Sequence, residues 1–201
     1  MGNMFIRRAG KNPQLAPVMT GSHVDTQPLG GNYDGVYGVL AGLELLRTLN
    51  DHHIETERDV VLVNWTNEEG ARFAPAMLAS GVWTGQFSEA YAHARTDHDG
   101  ITVGEALDNI GYRGEAPARA FPVHACYELH IEQGPILEDE GLDIGLVRAA
   151  MGQRWFTLTL DGFAAHAGTT PMHSRRDALT AFAELALKVE EIGYRHAPDG
   201  R

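Results

Sequence analysis

The sequence predicts an α/β protein, and three observations carry that expectation. Asp59-Val60-Val61-Leu62-Val63-Asn64-Trp65 is a near-continuous apolar, β-branched run, the pattern of a strand covered on both faces. Ahead of it, Val36, Val39, Leu40, Leu43, Leu46 and Leu49 recur at helical spacing. Beyond it, strand-like and helix-like segments keep alternating, the order expected of a sheet flanked by helices. No strand–GxGxxG–helix unit interrupts this pattern, and Gly35-Val36-Tyr37-Gly38 lacks the spacing of a dinucleotide fingerprint.

Taken in order, Pro17 to His23 reads as a short buried strand, followed by the turn-rich stretch Pro28-Leu29-Gly30-Gly31-Asn32-Tyr33-Asp34-Gly35. The helix over 36–49 leads to the strand 59–65, which runs directly into Thr66-Asn67-Glu68-Glu69-Gly70. Thr102-Val103-Gly104-Glu105 has the form of a capping box and opens a short helix to Ile110. Tyr127 to Ile131 reads as a strand ending in Glu132-Gln133-Gly134-Pro135, and Arg154 to Leu160 as an alternating strand. Ser174 then caps a long amphipathic helix through Ala178, Phe182, Leu185, Val189 and Ile192.

Composition narrows the function. A chain of 201 residues suits one domain, or one domain and part of a second. The formal net charge of −11, with no run of Lys or Arg, argues against nucleic acid or an anionic membrane as partner. Cys126 is the single cysteine, so no intrachain disulfide forms and nothing points to an oxidising compartment. No stretch approaches the roughly 18 consecutive apolar residues of a membrane span. Met1 to Arg8 lacks a signal-peptide core and Ile6 breaks the myristoylation pattern, so a cytoplasmic location is expected.

Metal-competent residues gather where the predicted strands end. His23-Val24-Asp25 fits either a metal-binding His with Asp25 fixing its ring, or a capped loop start. Asp34 fits either a ligand or an ordinary Asx-turn. Glu68 and Glu69 are adjacent carboxylates at the end of a buried strand, which is costly unless a dication compensates; a solvated loop pair is the alternative. His130, in Glu128-Leu129-His130-Ile131-Glu132-Gln133-Gly134, fits a ligand or a satisfied core histidine. Jointly, His, Asp, Glu and His form a mixed N/O set suited to zinc, or to manganese or cobalt, better than to calcium or copper. A carboxylate bridging two ions, with a spare Glu beside them, is what a two-metal hydrolase needs.

Five ordered motifs extend this reading: Gly21-Ser22-His23-Val24-Asp25-Thr26, Gly30-Gly31-Asn32-Tyr33-Asp34-Gly35, Asn67-Glu68-Glu69-Gly70-Ala71-Arg72-Phe73, Glu128 to Gly134, and His166-Ala167-Gly168-Thr169-Thr170-Pro171-Met172. Over essentially the whole chain they resemble the N-carbamoyl-L-amino acid hydrolases, with allantoate amidohydrolase and β-ureidopropionase as relatives, within the aminoacylase–carboxypeptidase clan of dinuclear metallohydrolases. The segment Arg72 to Gly81 looks more like the carbamoyl-amino-acid enzymes than the allantoate enzymes.

The resemblance implies a zinc-exopeptidase-like catalytic domain, a mixed, mainly parallel sheet flanked by helices, over residues 1–152. It implies the start of a smaller α+β lid or dimerisation domain over 153–201. It implies two divalent ions, zinc foremost with manganese or cobalt as substitutes, and assigns His23, Asp34 and His130 to one. Asp34 would bridge to the second ion, bound by Glu69. Glu68 corresponds to the general base, Asp25 to a carboxylate behind the ligands, and Gln133 to a substrate-binding group. His166 corresponds to a histidine that, in homodimers formed through the lid, polarises the scissile carbonyl in the partner's site.

The substrate implied is a small N-carbamoyl or ureido acid. The resemblance also implies a fragment truncated at both ends, lacking the last His of the second metal site and the Arg and Asn that bind the substrate carboxylate. The alternatives are an allantoate amidohydrolase, a β-ureidopropionase, or an inactive metal-binding or dimerisation remnant.

Overall fold

The computed structural model describes residues 1–152, 154 and 156–197. The chain divides into two compact units, Met1–Asp139 and Glu140–Arg201. The division precedes the boundary at 152/153 expected from the sequence, and residues 141–152 carry no helix or strand.

The first unit is built on a four-stranded sheet of order β1-β3-β2-β4, formed by β1 (Met4–Arg8), β2 (Val18–His23), β3 (Val60–Trp65) and β4 (Ala125–Tyr127). β2 and β3 pair in parallel, joined through helix α1 (Val36–Asp51), and β4 adds in parallel on the other side of β2. β1 pairs antiparallel with β3, so the sheet is mixed.

β3 is covered on both faces, as its β-branched run predicts. Val61 and Val63 pack with Met19 against Trp65, Trp83 and Val123, while Val60 and Leu62 pack with Leu46 and Leu49 of α1. Burying each such side chain stabilises the fold by about 1.5–3 kcal/mol. Phe73, Leu78, Val82, Val103 and Leu107 form another cluster under α2 (Leu78–Trp83), α3 (Glu89–His93) and α4 (Val103–Asn109). The predicted capping box opens α4: Glu105 N–H donates to Thr102 Oγ1 at 3.1 Å, and Thr102 N–H to Glu105 Oε2 at 2.8 Å.

Three expectations are corrected. β4 ends at Tyr127, so Glu128 to Ile131 leave the ladder where a strand through Ile131 was expected; there the Leu129 carbonyl lies against α1 at Gly38. Arg154 and residues 156–160 form no strand, and Trp155 lies outside the described residues. A strand draws its hydrogen bonds from a neighbour, and the second unit holds no other strand among its described residues. The long helix, α6 (Ala178–Arg195), is capped by Asp177 rather than Ser174: Asp177 Oδ1 accepts from Leu179 N–H at 2.8 Å. Ser174 instead closes a 3₁₀ turn over Met172–Ser174. Among the described residues α6 is the last helix, after α5 (Ile136–Glu140), and its Leu179, Phe182 and Val189 are exposed.

Candidate metal centre

The site grows from the C-terminal ends of β2 and β3, where open α/β sheets bind their ligands. His23 is the last residue of β2 and is buried. Its Nδ1 lies 2.8 Å from the Asp25 backbone carbonyl. A carbonyl only accepts, so Nδ1 carries a proton, and the ring position open to a metal ion is Nε2. His130 repeats the device, with Nδ1 2.9 Å from the Ile131 carbonyl. The two rings lie 5.9 Å apart between centroids.

Both Nε2 atoms face Asp34. Asp34 Oδ1 is 3.3 Å from His130 Nε2 and 3.9 Å from His23 Nε2. Asp34 stands in the turn that enters α1, and Gly35 allows that turn to fold over the imidazole. Gly35 has φ 66°, and a Cβ there would fall 2.3 Å from His23 Cε1.

Glu68 and Glu69 follow β3. Their backbone N–H groups donate to the two oxygens of Asp25, at 3.2 Å and 3.0 Å. Glu68 Oε2 then lies 3.5 Å from His23 Nε2. Burial pushes the Glu68 carboxyl above the usual glutamate range. The nearby His23 opposes this, and the negative charges of Glu69, Asp25 and Glu128 add to it.

Two carboxamides hold the other carboxylates. Gln133 Nε2 donates to Asp34 Oδ2 at 2.7 Å. Gln27 Nε2 donates to Glu69 Oε2 at 3.1 Å and to the Glu69 carbonyl at 3.0 Å. Each glutamine occupies one oxygen, while the remaining Asp34 Oδ1 and Glu69 Oε1 are buried without a partner.

A divalent cation fits these residues. A buried carboxylate oxygen without a hydrogen-bond donor is costly, and facing imidazole lone pairs make it more so. Among the described residues, His23, Asp34 and His130 form one set whose candidate donor atoms lie within 4.8 Å of one another. His23, Glu68 and Glu69 form a second. The two sets share His23, and Glu69 stands with His23 and Glu68 in the second.

Two further residues make contacts beyond those the sequence suggested. Asp25 was expected to fix the His23 ring with its carboxylate. The ring bonds the Asp25 backbone instead, the carboxylate standing 3.7 Å off, while the carboxylate orders the Glu68–Glu69 backbone. Gln133, expected at the substrate, is bonded to Asp34. His166 lies in the second unit, where its Nδ1 accepts from the N–H groups of Gly168 at 3.0 Å and Thr169 at 3.3 Å. Gln27 escaped the sequence reading, because a glutamine in a turn carries no signal until the fold brings Glu69 beside it.

A mixed α/β sheet that gathers imidazoles and carboxylates beyond β2 and β3 defines an α/β domain with two candidate metal-donor sets. The chain belongs to peptidase family M20/M25/M40, whose model matches residues 19–200. It is 50% identical over 198 residues to an N-carbamoyl-L-amino-acid amidohydrolase of Rhizobium meliloti, covering 98% of this chain and 48% of that protein. It is 38% identical to the allantoate amidohydrolase of Bacillus subtilis, covering 96% of this chain and 48% of that protein. A solved hydantoinase/carbamoylase family amidase from Burkholderia vietnamiensis matches with a TM-score of 0.83 at 57% identity, covering 98% of this chain and 48% of that one. The chain therefore spans about half the length of the relatives it matches. Among the described residues, no helix is long and apolar enough to cross a membrane.

Proposed function

We propose that these residues carry the metal site and general base of an amidohydrolase that cleaves a C–N bond of N-carbamoyl-L-amino acids or related ureido acids. Because the chain spans about half of its relatives, the activity is proposed for the protein as a whole. The observation that carries the proposal is the unpartnered Asp34 Oδ1 facing two Nε2 atoms, with the Glu68 carboxylate beside them. The names of the amidohydrolase relatives support the substrate class.

In this reading His23, Asp34 and His130 hold a divalent ion, zinc first among the candidates, and Glu69 serves a second ion. Bound there, the metal would lower the pKa of water to about 7 and polarise the carbonyl of the substrate. Glu68, with its raised pKa, takes a proton from the attacking water. As the C–N bond breaks, it delivers that proton to the leaving nitrogen. His166 accepts backbone amides at Nδ1, so its neutral ring keeps the proton on Nε2 as a donor for a developing oxyanion. In a homodimer that donor would serve the partner's site.

The test is a panel assay of the metal-loaded complete protein. Ammonia release from N-carbamoyl-L-amino acids and allantoate is followed beside amine release from N-acetyl amino acids and dipeptides. The carbamoyl substrates should be turned over fastest. Turnover confined to dipeptides or acetylated substrates would overturn the proposed class.

A further inference from the structure

We propose that Ser22 and Glu128 are positioning residues. Their hydrogen bond holds the segment carrying His130 against the end of β2 and so sets the spacing of the two imidazoles. The bond stands on geometry alone; its consequence for metal binding rests on the site reading above.

The ladder between β2 and β4 pairs Val18 with Ala125, Met19 with Cys126 and Thr20 with Tyr127, and stops there. Carried on in the same register, the next pairs would set Gly21 beside Glu128, Ser22 beside Leu129 and His23 beside His130. The imidazoles thus stand level with one another, but beyond the last backbone pair. The His130 ring bonds only its neighbour's carbonyl, Ile131 O, and that local contact does not tie the segment to β2.

Ser22 makes the missing tie. Its Oγ–H donates to Glu128 Oε1 at 2.5 Å. Ser22 is 0% exposed, so its hydroxyl must find a partner or be stranded. It directly precedes His23, and Glu128 lies two residues before His130, so the bond joins the two ligand-bearing segments close to both rings. Helix α1 closes over the same point. A Cβ on Gly38 would meet the Leu129 carbonyl at 2.5 Å and Ser22 Cβ at 2.8 Å. Glycine there lets the helix, the end of β2 and the His130 segment meet.

The experiment uses the full chain as wild type, Ser22→Ala, Glu128→Ala and Glu128→Gln, with His130→Asn as reference. Hydrogen exchange of the amides at 128–131 is measured without metal, and zinc affinity is measured by chelator competition. Losing the bond should speed exchange in Ser22→Ala and Glu128→Ala by about tenfold. Zinc affinity should fall in both by on the order of 10–100-fold. Glu128→Gln removes the charge but keeps an acceptor, so it should stay close to wild type in both readings.

Unchanged exchange in Ser22→Ala and Glu128→Ala overturns the proposal whatever zinc does. Faster exchange with unchanged zinc affinity overturns the link to imidazole spacing. A Glu128→Gln variant as defective as Glu128→Ala overturns the hydrogen bond in favour of charge. Faster exchange in the two alanine variants, beside a wild type that binds no zinc, would uphold the tie and overturn the metal-site reading instead.

Discussion

The Asp25 carboxylate accepts the backbone N–H of Glu69 at 3.0 Å, and its other oxygen accepts that of Glu68 at 3.2 Å. One side chain at the end of β2 therefore sets the backbone of the loop that follows β3. The His23 ring depends on Asp25 differently, through the main-chain carbonyl, which any residue at this position would supply.

This separation makes Asp25→Ala informative. The variant should keep its affinity for one divalent ion, because His23, Asp34 and His130 retain their supports. Turnover of the complete protein should fall by roughly 10–100-fold as the Glu68 loop loses two charge-assisted hydrogen bonds. Metal titration beside steady-state kinetics reads both. Parallel loss of metal and activity would return Asp25 to the role of orienting His23.

Glu68→Gln should lower turnover by on the order of 10²–10⁴ with metal content unchanged, since an amide cannot take the proton from water. Elemental analysis decides between two roles, because Glu68 also lies in the second donor set with His23 and Glu69. A variant that loses metal in step with activity would make Glu68 a ligand.

Metal content itself is constrained by His23, which occurs in both donor sets. Its Nδ1 is committed to the Asp25 carbonyl, leaving Nε2 for a single ion. The chain should therefore hold about one tightly bound divalent ion after dialysis, since only the His23–Asp34–His130 set can then reach the three protein ligands usual for catalytic zinc. Two ions retained with equal tenacity would require a bridging ligand other than His23.

Acid stability should depend on Asp59. The Gly10 N–H donates to its carboxylate at 2.8 Å and Arg7 Nε at 2.7 Å; these bonds hold it below its ordinary value of 3.8, against the opposing effect of burial. A depressed folded-state pKa means that the unfolded chain takes up the proton first. The contribution is thus present above pH 3.8 and is lost as pH falls through the lower folded value. Denaturant midpoints measured from about pH 5 to pH 2 should fall more steeply in wild type than in Asp59→Asn. Equal slopes would remove Asp59 from the acid transition.

Much of the sheet was legible because its signals are local. The β-branched run of β3, the periodicity of α1 and the Thr102 capping box each declare themselves within a few residues, and each formed. β1 was missed because a short edge strand takes its conformation from the neighbour it pairs with, here β3. α2 and α3, at six and five residues, are too short to show a helical period. The strand expected over Arg154 to Leu160 failed for the opposite reason: its pattern was sound, but the second unit supplies no neighbouring strand among its described residues.

The sequence by itself singled out the metal-competent residues, His23, Asp34, Glu68, Glu69 and His130, because polar groups of this kind at the ends of apolar strands are costly without compensation. Tertiary structure alone decided how each is held. Asp25 serves the Glu68–Glu69 loop, Gln27 and Gln133 each occupy one carboxylate oxygen, and Ser22 reaches Glu128 across 106 positions of sequence. A ligand type is a property of one side chain and can be read in isolation. A hydrogen bond between distant residues depends on strand register and helix approach, which exist only once the sheet has formed.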